Sequence, residues 1–213
     1  MFVVVHNGYV TLGPKNWNKL SFEEELRDEC EVEYTLPTRN DARDPIIINA
    51  NTSILPVVSI DTPNLNGKIQ RLDGPYWNFS ETQAEMYYTA GDLPLDYVKA
   101  NLKNEVAAKR YEKEIAGIKM TIQSTEVTVD TARGSRDIFL DTYNVLGEND
   151  TINWKFPEIW LTLTKAELGS IVAAGIAHIQ YCFNWEKTKS DEIDACTTLA
   201  ELDAITIVFP GEE

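Results

Sequence analysis

The sequence predicts an α+β protein, with a β-rich N-terminal region followed by a C-terminal long-helix hairpin carrying inserted β-hairpins. Three observations predict it. Short β-prone runs separated by turn residues fill residues 1–91, among them FVVVH, IIIN and ILPVVSI. Two segments, one from Asp92 and one from Thr164, hold apolar residues at helical spacing over many turns. Between them, Ile118–Val129 alternates apolar and polar residues with a period of two. The 213 residues suit one or two small domains. The change of pattern sets the expected division at 1–91, a β-rich domain, and 92–213, a helical domain with a β-hairpin.

In the N-terminal part, Phe2–Val5 and Tyr9–Leu12 read as a hairpin around His6-Asn7-Gly8. Ser21-Phe22-Glu23-Glu24 has the spacing of a capping box and predicts a short acidic helix ending near Cys30. Val32, Tyr34 and Leu36 alternate as a strand that stops at Pro37. Ile46–Asn49 and Leu55–Ile60 predict two more strands, the second an edge strand because of Pro56. Lys68–Leu72 is a further candidate strand, and Asp73-Gly74-Pro75 is turn chemistry. Ser80-Glu81-Thr82-Gln83 repeats the capping pattern and predicts a helix to about Thr89.

The C-terminal part opens with a long helix capped by Asp92, with Val98, Leu102, Ala108, Tyr111, Ile115 and Ile118 on its inner face and Gly117 as its stop. Ile118–Ile122 and Val127–Val129 then form a hairpin. A turn at Ser124-Thr125 sets Ile122 opposite Val127 and Met120 opposite Val129. Ser135 is the expected cap of a second helix with Ile138, Phe139, Tyr143 and Leu146 facing inward. Ile152–Phe156 and Ile159–Leu163 read as strands, with Pro157-Glu158 arguing against a strict ladder. Thr164-Lys165-Ala166-Glu167 is a capping box for a helix reaching Ala195, in which Gly169 and Gly175 suggest close packing against the helix that starts at Asp92. Thr198 starts a last short helix, and Ile205–Phe209 reads as a closing strand.

Three segments carry a resemblance: VTVDTARGSRDIF, INWKFPEIWLTLTKAELGSIV and HIQYCFNWEKTKSDEIDACTTLAELDAI. Together they resemble a domain of unassigned function found at the C-terminal end of many tailed-phage tail-fibre and tail-fibre-assembly proteins. The resemblance covers about residues 92–205. It implies a non-enzymatic virion component of the tail, baseplate or tail-fibre region, made in the bacterial host cytoplasm. Its expected partners are other tail or fibre proteins, with several copies in one assembly. The alternative it implies is a tail-fibre assembly chaperone that caps immature fibre surfaces.

Composition narrows the chemistry. A net charge of −15 and a 43% hydrophobic content fit a folded, acidic chain and argue against nucleic acid or an anionic membrane as partner. The start MFVVVHNGYV reads as a strand and lacks the basic region of a signal peptide. Cys30, Cys182 and Cys196 form no disulfide framework or zinc pattern. Of the two histidines, His178 sits on an apolar helix and reads as structural. Asn40, Asp41 and Asp44 lack the spacing of a calcium loop. Arg133 and Arg136, around Gly134, suggest either an anion site or salt links to Asp130 or Asp137. No catalytic residue, metal ligand or cofactor is assigned. A glycan hydrolase would need two carboxylates at a set separation, and the sequence selects no such pair. The candidate interface is the aromatic group Tyr76, Trp77, Phe79, Tyr87 and Tyr88, residue types enriched where proteins dock; the alternative is a small aromatic core.

Overall fold

The run Phe2–Val5 has no polar residue, which suits a strand covered on both faces, and the structure uses it so. The computed structural model describes residues 1–38, 40, 43–59 and 62–212, and the chain forms two compact units, Met1–Asp92 and Leu93–Glu213. In the first, β1 (Phe2–His6) pairs with β2 (Tyr9–Lys15) across Asn7 and Gly8 and with β4 (Thr52–Ser59) on its other side. Phe2 and Val4 pack with Phe22 and Leu26 of α1 (Lys19–Asp28), while Val3 and Val5 join Leu55, Val57 and Ala84 in a second cluster. The short β3 (Ile46–Ile47) pairs with the first half of β4, and β6 (Ala84–Asp92) joins its second half in parallel. β5 (Gln70–Phe79) ends the sheet, in the order β2-β1-β4-β6-β5.

Several expectations for this unit are corrected. The cap of α1 is Asn18, which accepts from the Ser21 N–H at 3.2 Å, so the helix starts before the capping pattern. Residues 32–36 pair with no strand; Leu36 is buried as an anchor, its N–H donating to Glu23. Pro56 lies inside the sheet. Val57 donates to Met1 O, so the missing Pro56 N–H faces the gap where β3 has ended and β6 has not begun. Asp73-Gly74-Pro75 makes a bulge within β5, with Gly74 at φ +135°. Ser80–Gln83 starts no helix. The Ser80 hydroxyl accepts from the Thr82 and Gln83 N–H groups, the bonds a cap would make, but here they close a turn between β5 and β6. Ile60, expected to end β4, lies outside the described residues.

In the second unit, α2 (Leu95–Glu114) and α4 (Lys165–Ala195) run antiparallel. Lys103 bonds Asp194 near one end, Arg110 bonds Glu186, and His178 meets Lys113 O near the other. Asp92 belongs to β6, and Pro94 occupies the cap position of α2 without a side-chain bond. The inner stripe of α2 is Val98, Leu102, Val106 and Glu114, whereas Tyr111 and Ile115 are exposed. β7 (Ile118–Ile122) and β8 (Thr125–Val129) turn at Gln123 and Ser124, both at positive φ, and pair Ile122 with Thr125 and Met120 with Val127. The register is two residues from the expected one. The two-residue turn with both centres left-handed matches strand twist. The slip by two leaves the apolar faces unchanged.

Ala132, not Ser135, is the cap position of α3 (Arg133–Val145). Phe139 is its buried residue and Ile138 is exposed. β9 (Thr151–Lys155) and β10 (Trp160–Thr164) form the full ladder that Pro157-Glu158 argued against, because those residues sit in the connecting loop. The capping boxes at Thr164 and Thr198 both form, starting α4 and α5 (Leu199–Ala204). Residues 205–209 are not a strand; Phe209 is buried against Tyr181 and Trp185. The core lies where the hairpin, α3, the β9–β10 pair and α4 meet, around Phe139, Leu163, Leu168 and Ile171.

Candidate functional site

The five aromatic residues singled out in the sequence all fall on the β5–β6 hairpin, but the structure divides them between its two faces. Tyr76 stands opposite Tyr87, their rings 5.7 Å apart, with Asn78 and Glu85 beside them. Trp77 stands opposite Met86 and Phe79 opposite Ala84, on the face that carries the Val3–Leu55 cluster, and Tyr88 follows on that face by alternation. Trp77 packs against the cluster, whereas Tyr76 and Phe79 are 44% and 38% exposed. Leu72, in the same strand, is 42% exposed. β5 is the last strand of the sheet, so among the described residues its outer row of N–H and C=O groups has no strand beside it. A long, apolar free edge of this kind is a template for adding a strand from another chain.

In the second unit, a cavity of about 290 Å3 lies between α3, α4 and the end of β8. Phe139, Ile171, Val172 and Ile179 give it apolar walls. Asp130, Arg133, Arg136 and Asp137 stand at its polar side. Sequence reading found the two arginines but not the cavity. Gly175 was the available signal: it interrupts a long helix, it is buried, and a Cβ built on it meets nothing within 4 Å. It is therefore not a close-packing glycine. Gly169 is one, but against Tyr143 of α3 and not against α2.

The arginines do not pair as expected. Arg136 donates to Glu114 at 3.0 Å, and Arg110, one turn before Glu114 on α2, bonds the other carboxylate oxygen. Glu114 is 7% exposed. The Thr131 hydroxyl donates to Glu114 O at 2.5 Å and accepts from Gly117 N–H, tying the end of α2 to the start of α3. Gly117 has φ +83°, with Val129 O 3.0 Å from where a Cβ would stand. Asp130 bonds the Ser135 hydroxyl and the Ala132 N–H, which hold its carboxyl below the ordinary range. Arg133 and Asp137 make no ion pair with each other or with any described residue.

The remaining candidates make local contacts. His6 bonds the Thr52 hydroxyl at 2.8 Å, and His178 bonds Lys113 O at 2.9 Å, so both rings tie elements together. Cys30, Cys182 and Cys196 are free and buried, and burial pushes the Cys30 and Cys182 thiols up. The Asn40 side-chain amide donates to Asp44 O and accepts from the Asp44 N–H in a local turn; Asp41 lies outside the described residues. No helix among the described residues is long and apolar enough to cross a membrane.

A family model described as Domain of unknown function (DUF4376) matches residues 97–206, the stretch that holds the helix pair, the hairpin and the cavity. No curated protein and no solved structure matches the chain.

Proposed function

The chain belongs to the DUF4376 family, and on that premise we propose that it is a non-enzymatic structural component of a bacteriophage virion, in the tail, baseplate or tail-fibre region. It acts by docking onto neighbouring tail or fibre subunits. The family stretch contains VTVDTARGSRDIF and the other segments whose resemblance to tail-fibre-type proteins suggests this setting. The observation that carries the docking is the β5 edge, which no other strand among the described residues covers and beside which Tyr76 and Phe79 are exposed. Backbone bonding along such an edge supplies affinity, and exposed aromatic side chains supply the anchors that dominate interface energy. The acidity of the chain keeps an edge of this length from associating indiscriminately.

The experiment is mass spectrometry of purified particles of the encoding phage, with copy number. Stoichiometric presence, reduced by the double substitution Tyr76→Ala and Phe79→Ala, is the expected result. A chain that is absent from finished particles but co-purifies with immature fibres is a tail-fibre assembly chaperone instead. Absence from both ends the proposal.

A further inference from the structure

We propose that the cavity between α3 and α4 is a binding site for a small amphipathic carboxylate, its aryl or alkyl body held in the cavity and its carboxylate against Arg133. This goes beyond the docking reading and does not depend on it.

Four observations carry the assignment. The cavity has about 290 Å3 of room, near the lower end of what small-molecule sites offer. Its walls are Phe139, Ile171, Val172 and Ile179, which give a non-directional surface for a hydrocarbon. Gly175 is buried in the interior of a 31-residue helix, where glycine is unfavourable relative to alanine. No approaching side chain or strand requires it, since a Cβ there meets nothing within 4 Å, so its effect is to keep the cavity floor open. The fourth concerns charge. Arg136 is occupied by Glu114 and Asp130 by Ser135 and Ala132, which leaves Arg133 and Asp137 as the rim charges without partners among the described residues.

Between those two, position favours an anion. Arg133 is the first residue of α3 and Asp137 lies one turn further in. The helix start takes the Asp130 carboxylate on the Ala132 N–H and the Ser135 hydroxyl and has no acidic residue in its first turn, so Arg133 stands at the end of the helix where the dipole favours an anion, and Asp137 lies beyond that turn. An arginine also presents its N–H groups as a fork matched to a carboxylate.

The test is titration of the full chain with 3-phenylpropanoate, 3-phenylpropanol and 3-phenylpropylamine, followed by isotope-edited NMR and calorimetry. The carboxylate binds saturably and shifts the amides of Val172, Gly175 and Ile179. The alcohol binds about fivefold more weakly, the increment of a solvent-accessible ion pair, and the amine more weakly still. Arg133→Gln brings the carboxylate down to the alcohol and leaves the alcohol unchanged. Gly175→Leu fills the space, abolishes binding of all three and raises the melting temperature. The proposal is overturned if 3-phenylpropanoate does not saturate, if the amine binds as tightly as the carboxylate, or if Gly175→Leu still binds. Shifts confined to residues outside α3 and α4 overturn it as well.

Discussion

Met1–Asp92 and Leu93–Glu213 differ in what joins their pieces. The first is joined mainly by backbone: β1 bonds β2 and β4, β4 bonds β3 and β6, and β6 bonds β5, with side-chain ties such as His6–Thr52 secondary. The second is joined by side chains reaching between distant elements. Glu114 gathers Arg110 and Arg136, Lys103 holds Asp194, Gln123 reaches Thr162 O and Glu167, and Glu158 accepts from Thr128. A ladder ends in an edge that still has bonds to offer, whereas a side-chain network closes on itself. The proposed protein docking accordingly falls on the first unit and the proposed small-molecule site on the second.

The contrast is broken most strongly by Phe139→Ala. The ring is buried and stacked on Trp154 at 4.3 Å. Its removal is expected to destabilise the second unit by about 4 kcal/mol, read as a lower urea midpoint for amides of α3 and α4 while those of β1 and β4 keep theirs. Glu114→Gln comes next, at roughly 3 kcal/mol, because Arg110 and Arg136 lose a buried counter-charge. Lys119→Ala, which removes an exposed partner of Glu126, serves as the control and changes stability by less than about 0.5 kcal/mol.

Acid separates the units further. Among the described residues, the carboxyls held below their ordinary range are Asp130, Glu158, Glu167, Asp194, Glu201 and Glu212, all in the second unit. The causes are local: the Ser135 hydroxyl for Asp130, the Thr128 hydroxyl for Glu158, the Thr164 N–H for Glu167, Lys103 for Asp194, the Thr197 N–H for Glu201 and Lys113 for Glu212. A depressed carboxyl contributes stability above its unfolded value and loses it as pH falls through the folded one. Those unfolded values are 3.8 for Asp and 4.5 for Glu. Between pH 5 and pH 3, amide protection relative to the intrinsic exchange rate therefore falls more in α3, α4 and α5 than in the sheet. Apart from the Lys119 control, the smallest expected effect is Ser124→Gly, where φ is +64°. Relief of the left-handed turn stabilises the hairpin by about 0.5 kcal/mol, measured as a higher melting temperature.

How much of the fold was legible depends on the range over which each signal extends. α4 was read to its last residue because Thr164–Glu167 starts it with two reciprocal bonds and an apolar stripe continues for many turns. Ser80–Gln83 offers the same first bonds, but the adjoining Ala84–Asp92 carries two adjacent tyrosines and runs on as a strand. A cap is a local event and does not by itself carry a helix forward. The β7–β8 faces were legible because period two fixes them, while the register depended on which two residues took positive φ. Glu114 was not legible at all: on α2 it looks like one of several surface charges, and its burial rests on Arg110 together with Arg136, 22 positions later. The aromatic hairpin residues were found by composition, but their division between two faces required the strand pairing.

The joint between β4 and β6 holds one last consequence. It consists of the pairs Val57↔Ala84, Val58↔Glu85 and Ser59↔Met86, and among the described strands it alone connects the β5–β6 ribbon to the rest of the sheet. The ribbon itself is a hairpin of neighbouring residues joined by eight pairs, whereas the seam consists of three. With fewer backbone bonds than the longer ladders on either side, it is the line along which the ribbon separates from the sheet at least cost. On the docking proposed above, a partner added along β5 pulls on the rest of the sheet through these three pairs alone.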